Sequence, residues 1–265
     1  STVVFHDDSF LALRYKALEE FCKLYKEKIK IPFMVGGIIP NYVREDKISL
    51  LVDAGMNRVR MGIQSGSQDI LDFYKRPTKI DRINKASKIF NNYKKYMIAP
   101  NYDIILENPI EKVEDTRATV DMLYEMPRPY TLNIYALRII PNTAMAKDIK
   151  DRGVKVPPID KNYFIDYHRT MGNCLVFILT FWKIPRWLYK IFLNKVYPVQ
   201  TEQKYYPVLF RISRSIYYFK RSFDHIRFMD FSVLPGKVGY ILWKFGIIKF
   251  WQHFICKRYH MPKKN

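Results

Sequence analysis

Apolar positions along the first half of the chain follow two alternating rhythms. Short β-rich runs recur at Val3 to His6, Ile31 to Val35, Arg58 to Ile63, Tyr102 to Leu106 and Leu132 to Leu137. Between them the spacing changes to three and four. Leu11, Tyr15, Leu18, Cys22 and Tyr25 form one stripe while Glu19, Glu20, Lys23 and Lys26 take other faces, which predicts an amphipathic helix over Leu11 to Lys28. The same reading predicts helices over Glu45 to Asp53, Asp69 to Tyr74, Lys79 to Tyr93 and Val113 to Tyr124. Strand and helix in alternation predict a parallel sheet, because parallel neighbours need a crossover that a helix supplies.

Polar positions inside the strands bear on whether that sheet is rolled or open. Val59, Met61 and Ile63 alternate with Arg60, Gly62 and Gln64, and Leu132, Ile134 and Ala136 alternate with Asn133, Tyr135 and Leu137. One face then meets helices and the other a polar lumen, whose groups need partners in one another, in water or in a ligand. The expected class is α/β, a partial parallel barrel with its site at the carboxyl ends of the strands, and an open doubly wound sheet is the alternative.

Charge divides the chain. Of the net +20, residues 1–150 supply little, with 24 Lys and Arg against 19 Asp and Glu, while the rest holds 26 of the 42 aromatic residues. The change falls near Asp151-Arg152-Gly153, a predicted turn, and separates a barrel region, 1–153, from a basic, aromatic-rich helical extension, 154–265. In the extension, Cys174 to Trp182 is apolar but less than half a bilayer span, and Lys183, Arg186 and Lys190 follow it. Tyr240 to Lys249 repeats the mixture. Such helices either pack over the barrel mouth with a solvated basic face or lie on an anionic membrane surface through Trp182, Trp187, Trp243 and Trp251. Nucleic acid is the least supported partner, having charge and aromatics but no recognisable module. The scattered, odd-numbered Cys22, Cys174 and Cys256 exclude a disulfide framework and point to a reducing cytoplasm, with a membrane-peripheral position as the variant the extension adds.

Four strand ends carry chemistry-bearing groups. They are His6-Asp7-Asp8-Ser9-Phe10; the run from Ala54-Gly55 through Gly62-Ile63-Gln64-Ser65-Gly66-Ser67; Asp103 through Leu106-Glu107-Asn108-Pro109 with Glu111, Glu114, Asp115 and Thr119 behind it; and Leu137 to Thr143 with its Pro141-Asn142-Thr143 exit. In that order they resemble the second-, fourth-, fifth- and sixth-strand signatures of radical S-adenosylmethionine enzymes, in the branch associated with cobalamin-binding domains. The resemblance covers roughly residues 3–153.

It implies a partial barrel in which a four-iron, four-sulfur cluster reduces S-adenosylmethionine, for 5'-deoxyadenosyl radical or cobalamin-dependent methyl transfer chemistry on an unknown substrate. It also implies a binding set for S-adenosylmethionine. Asp7 or Asp8 would accept from the ammonium, Gln64 and Ser65 would meet ribose hydroxyls, Gly66 would admit a close backbone approach, and Asn108 would reach the same ligand. The sequence departs from the pattern in four places. Gly36-Gly37 stands on the third family strand without a following Glu, Gln64 replaces a Glu, Glu107 replaces a Gly, and the CxxxCxxC triplet that ligates the cluster is not among the 265 residues. A chain beginning inside its second family strand, with the thiolates upstream of Ser1, is the expectation. The competing reading is a noncatalytic barrel that binds a ligand or partner, with the basic tail docking on membrane or RNA.

Plainer roles are expected for several of these residues. Asp8 or Ser9 suits a cap for a helix opening at Phe10, Ser67 a cap for the next helix, and Glu111, Glu114 and Asp115 a helix start. Arg60 and Tyr135 read equally as lumen packing or as substrate contacts, and His6 as a satisfied interior histidine.

Overall fold

The computed structural model describes residues 2–106, 108–154, 170–196, 206–228, 230, 236–247 and 250. Five strands, β1 (Val3–Phe5), β2 (Phe33–Ile38), β3 (Met56–Gln64), β4 (Asn101–Leu106) and β5 (Thr131–Ala136), form one sheet in that spatial order. All neighbours are parallel. A doubly wound sheet reverses its order at a switch point, and this one does not. Right-handed crossovers between sequential neighbours therefore put every connecting helix on one face and leave the other to the lumen. The open-sheet alternative is thereby set aside, and the fold is an α/β partial barrel with β1 and β5 at its edges.

Helices α1 (Tyr15–Lys28), α2 (Glu45–Ala54), α3 (Gln68–Phe73), α4 (Ile80–Asn92) and α5 (Val113–Glu125) cover the outer face, and α6 (Ala144–Asp151) follows β5. The first helix begins later than its stripe predicts. Phe10–Ala12 is a separate 3-10 turn, extended backbone at Leu13 and Arg14 breaks the run, and Tyr15 is exposed. Leu18, Cys22 and Tyr25 do face the core, each buried side chain of this kind contributing roughly 1.5–3 kcal/mol. Helix α2 ends where Gly55 takes a left-handed φ of 118°, which turns the chain directly into β3.

Alternation along the strands is as expected. On β3, Val59, Met61 and Ile63 are buried towards the helices while Arg60, Gly62 and Gln64 lie on the less buried lumen side. The two glycines of β2 belong to the strand itself, and at Gly37, φ 63°, a Cβ would fall 2.1 Å from the Asp7 carbonyl oxygen. Its missing side chain lets the Asp7-Asp8 turn lie across the end of β2.

The extension contributes α7 (Met171–Phe181), α8 (Arg186–Val196), α9 (Pro207–Arg227) and α10 (Gly236–Lys244). The apolar run at Cys174 is not a surface helix with a cationic side. Residues from Gly172 to Phe177, then Leu179 and Thr180, are buried in the same core as the sheet. Beside it, Tyr217 of α9 answers the open edge of β5: its hydroxyl accepts from the Leu132 N–H at 3.1 Å and donates to the Leu132 carbonyl at 2.8 Å. Below, Asp230 reaches Arg58 on the lumen face of β3 at 2.6 Å. Among the described residues no helix is long and apolar enough to cross a membrane.

Candidate functional site

The lumen face of β3, β4 and β5 carries a connected polar ladder. Arg60 Nε donates to both Asp103 oxygens, at 2.9 and 2.8 Å, and its Nη2 donates to the Tyr135 hydroxyl at 2.7 Å. Asn133 Nδ2 donates to Asp103 Oδ1 at 2.8 Å, and Asn101 Nδ2 to Asn133 Oδ1 at 3.3 Å. The hydrogen bond that Arg60 donates to Asp103 raises the Arg60 pKa further, so the guanidinium is permanently charged. Burial, then the Asp103 charge, raises the Tyr135 phenol, which stays a hydroxyl at neutral pH. Arg60 and Tyr135 are thus fixed by one another and by Asp103, while Tyr135 remains 42% exposed. Asn133 was legible as polar alternation and Asp103 as the opening of the fifth-strand segment, without their pairing.

At the carboxyl ends, the predicted set divides. Gln64 ends β3 with a left-handed φ of 70°, rare for a non-glycine residue, where the pairing with β4 shifts register. Its amide folds back over Gly62, where a Cβ would lie 2.8 Å from Gln64 Nε2. The strand tip thus holds strained backbone whose side chain lies back against Gly62. Ser65 and Gly66 instead face α5. The Ser65 hydroxyl, fully buried, lies 3.1 Å from the Thr119 hydroxyl and accepts from the Ser67 N–H. A Cβ on Gly66 would meet Thr119 Cα at 2.6 Å, and the Gly66 N–H donates to Thr119 Oγ1 at 2.8 Å.

Asp7 and Asp8 are exposed beyond β1, and Asp7 accepts from the Ser9 N–H at 2.8 Å. The caps expected of Ser9 and Ser67 do not form through their side chains; the Ser67 hydroxyl donates to Asp115 at 2.5 Å instead. His6 is exposed rather than interior. Asn108 is buried past the end of β4, donating to the Tyr74 hydroxyl at 2.9 Å and accepting from the Ile110 N–H at 3.0 Å. Glu107 lies outside the described residues, as do Trp251 and Cys256.

One strand-end residue departs from its expected role. Asp115 does open α5, accepting from the Lys112 N–H at 2.9 Å, but Glu111 turns inward, and neither of its buried carboxylate oxygens meets hydrogen-bond geometry. Burial, then the Asp115 charge, pushes its pKa up to about 7, and the Asn108 backbone and the Thr116 hydroxyl pull it back only in part. Its charge, after burial, also raises the Tyr74 phenol. No periodicity signals this, because Glu111 sits in a loop where an acidic residue before a helix reads as solvated.

A groove of about 690 Å³ opens on the helical side, between α4, α5 and α8. Its lining is mutually paired: Arg117 to Asn194 at 2.6 Å, Arg186 to Glu125 at 3.2 Å and Tyr189 to Asp121 at 2.6 Å. The buried Glu111 carboxylate and the strained Gln64 lie at the carboxyl ends of the strands, and the candidate site is assigned there.

Cluster chemistry has no donors among the described residues. They hold no group of three His, Cys, Asp or Glu able to take a metal ion, and Cys22 is buried with its thiol pushed up to about 12 by burial and by the Asp53 charge.

No protein-family model and no curated protein matches the chain. Solved structures do. The cobalamin-dependent S-adenosylmethionine radical enzyme OxsB in its apo form is 12% identical over 100% of this chain and 43% of its own, with a TM-score of 0.51. OxsB with aqua-cobalamin and S-adenosylmethionine bound is 12% identical over 94% of this chain and 42% of its own, with a TM-score of 0.50. The radical SAM enzyme coproporphyrinogen III oxidase from Escherichia coli is 17% identical over 62% of this chain and 37% of its own, with a TM-score of 0.49. The chain thus spans less than half the length of each. Strand order, polar lumen and the likeness to OxsB converge on one conclusion: this chain has the fold of a radical S-adenosylmethionine enzyme, a partial parallel (β/α) barrel.

Proposed function

We propose that this chain supplies the cofactor- and substrate-binding walls of a radical S-adenosylmethionine enzyme. The observation that carries the reading is Gln64, a non-glycine residue held in left-handed backbone at a strand tip above a continuous polar lumen. Around it the donor and acceptor inventory suits an adenosyl amino acid. Gln64 offers an amide to ribose hydroxyls, and Asp7 and Asp8 offer carboxylates to an ammonium. Asn108 and Ser65 hold the neighbouring loops: Ser65 through Thr119, Asn108 through Tyr74. Neighbouring strands stand about 4.8 Å apart, so the tips of β1 to β4 span roughly 14 Å, the length of such a ligand.

When bound, the ligand supplies an adenosyl or methyl group at its sulfonium. The chain's part is to fix that group over the lumen and to present the substrate to it from the Arg60–Asp103–Tyr135 ladder. The described cysteines do not fit an iron-sulfur cluster, so its thiolates come from outside the described residues in this reading. Cobalamin enters through the likeness to OxsB, whose bound form carries it.

Calorimetric titration of the chain with S-adenosylmethionine tests the reading. Gln64→Ala is expected to weaken binding about ten-fold, the lost side-chain hydrogen bond being worth roughly 1.4 kcal/mol. Equal affinity of the variant and the parent rejects the assignment of Gln64. Absence of any binding heat rejects the function.

A further inference from the structure

Helix α9 has two apolar faces, and among the described residues only one is covered. Phe210, Ser213 and Tyr217 are buried against α7 and the sheet edge. At 100° per residue, Val208, Ile212, Ile216, Phe219 and Phe223 fall within about 80° of one another on the opposite side. All five are exposed, Phe219 by 77% and Phe223 by 65%. A stripe four turns long is not the scatter of single apolar residues that ordinary surfaces carry. The next helix is barer still. None of the described residues of α10 is buried, although Val238, Tyr240, Ile241, Leu242 and Trp243 make it one of the most apolar segments of the chain.

Charge selects what covers these helices. Residues 206–247 carry Arg211, Arg214, Lys220, Arg221, Arg227, Lys237 and Lys244 among those described. Their described acidic residues are Asp224, which pairs with Lys220, and Asp230, which is buried on Arg58. Arg211 borders the α9 stripe on one side and Lys220 and Arg227 on the other. A second copy of the chain would bring the same positive field against itself, and the cores of protein interfaces are depleted in lysine. An anionic bilayer offers the complement to both parts. Its headgroups take the lysines and arginines, its acyl boundary takes the phenylalanines, and Tyr240 and Trp243 are residues suited to the interface between them. We infer that α9 and α10 form a peripheral docking surface for an anionic lipid membrane, lying in its interface without crossing it.

The whole chain is to be sedimented with vesicles of phosphatidylcholine mixed with phosphatidylserine, and with vesicles of phosphatidylcholine alone. Binding to the mixed vesicles is expected, falling about ten-fold from low to high salt as exposed charges are screened. The double variant F219S/F223S is expected to bind about ten-fold more weakly with an unchanged melting temperature, since both side chains lie outside the core. Failure to bind anionic vesicles at low salt, equal binding to both vesicle types, or undiminished binding by the variant each overturns the inference. Concentration-dependent dimerisation that the variant abolishes, without vesicle binding, assigns the stripe to a second copy instead. Retention by single-stranded nucleic acid without vesicle binding assigns it there. None of these outcomes depends on S-adenosylmethionine binding.

Discussion

Helices α1 and α9 show how differently the two regions of this molecule dispose of apolar surface. In the barrel region α1 has one buried stripe, Leu18, Cys22 and Tyr25, and its remaining faces are largely charged. In the extension α9 buries Phe210 and Tyr217 and presents a second, larger apolar stripe to the outside. The first region buries this stripe against its sheet, in a core that α7 completes. The second satisfies the sheet, by capping β5 and the lumen floor, and retains apolar surface that the other described residues leave exposed. The extension is therefore both a structural part of the barrel and a surface directed away from it. Substitutions at the joint, at the strand tips and on the free stripe should separate these roles.

The joint should be the most costly to break. Arg58 Nη1 meets Asp230 at 2.6 Å, Arg58 Nε has no hydrogen-bond partner, and His225 Nδ1 lies 2.5 Å from the same carboxylate oxygen. Burial weakens the hold of Arg58 on its proton, and the Asp230 charge beside it restores part of that hold. Asp230→Ala leaves a guanidinium uncompensated at only 13% exposure. The expected cost is about 3–5 kcal/mol in urea unfolding. A loss below about 1 kcal/mol would mean that the extension does not close the lumen floor in solution.

Next comes Gly66→Ala at the tip of β3. The added methyl would sit 2.6 Å from Thr119 Cα and 2.7 Å from the Ala118 carbonyl, both backbone atoms of α5 that cannot rotate aside. An overpacking cost of about 3 kcal/mol is expected, with weaker S-adenosylmethionine binding as α5 is pushed from the strand tip. Wild-type stability in this variant would show that the tip and α5 are not in the contact described.

A pH series reads Glu111. Its carboxyl is raised from an ordinary value of 4.5 to about 7, so the folded chain holds that proton more tightly than the unfolded chain does. Its stabilising contribution is present below pH 4.5 and is lost as pH rises through about 7. Glu111→Gln should match the parent at low pH and exceed it by about 2 kcal/mol at pH ~8, after allowing for partial solvent screening. Parallel stability curves for the two proteins across that window would remove Glu111 from the strand-end cluster.

How much of this was written in the sequence follows from which interactions are local. Strand and helix periods at β3 and α4 gave elements correct to a residue or two, because burial repeats with the backbone geometry. The strand-end residues Asp7, Gln64 and Asn108 were visible as polar breaks in apolar runs. The opposing partners were not: Asp103 for Arg60, Thr119 for Ser65 and Tyr74 for Asn108 are chosen by tertiary register. The split of the long first helix at Leu13 and Arg14 was hidden by an apolar spacing that continues through it. In the extension, composition left packing on the barrel and a membrane surface both open for the Cys174 helix, and its near-continuous apolarity belongs to the core.

The smallest predicted effect is the most discriminating. Phe219 and Tyr217 are two residues apart on α9 and face opposite ways: Tyr217 is buried with its hydroxyl on Leu132, and Phe219 is 77% exposed. Phe219→Ser removes a large side chain that touches little of the folded protein, so its stability should change by no more than about 0.5 kcal/mol. A core position of the same size would lose about 3–5 kcal/mol. Urea unfolding of the variant without vesicles makes the comparison. A loss of core size would mean that Phe219 packs into the protein, and the stripe would then belong to the barrel's own architecture rather than to a surface held for a second phase.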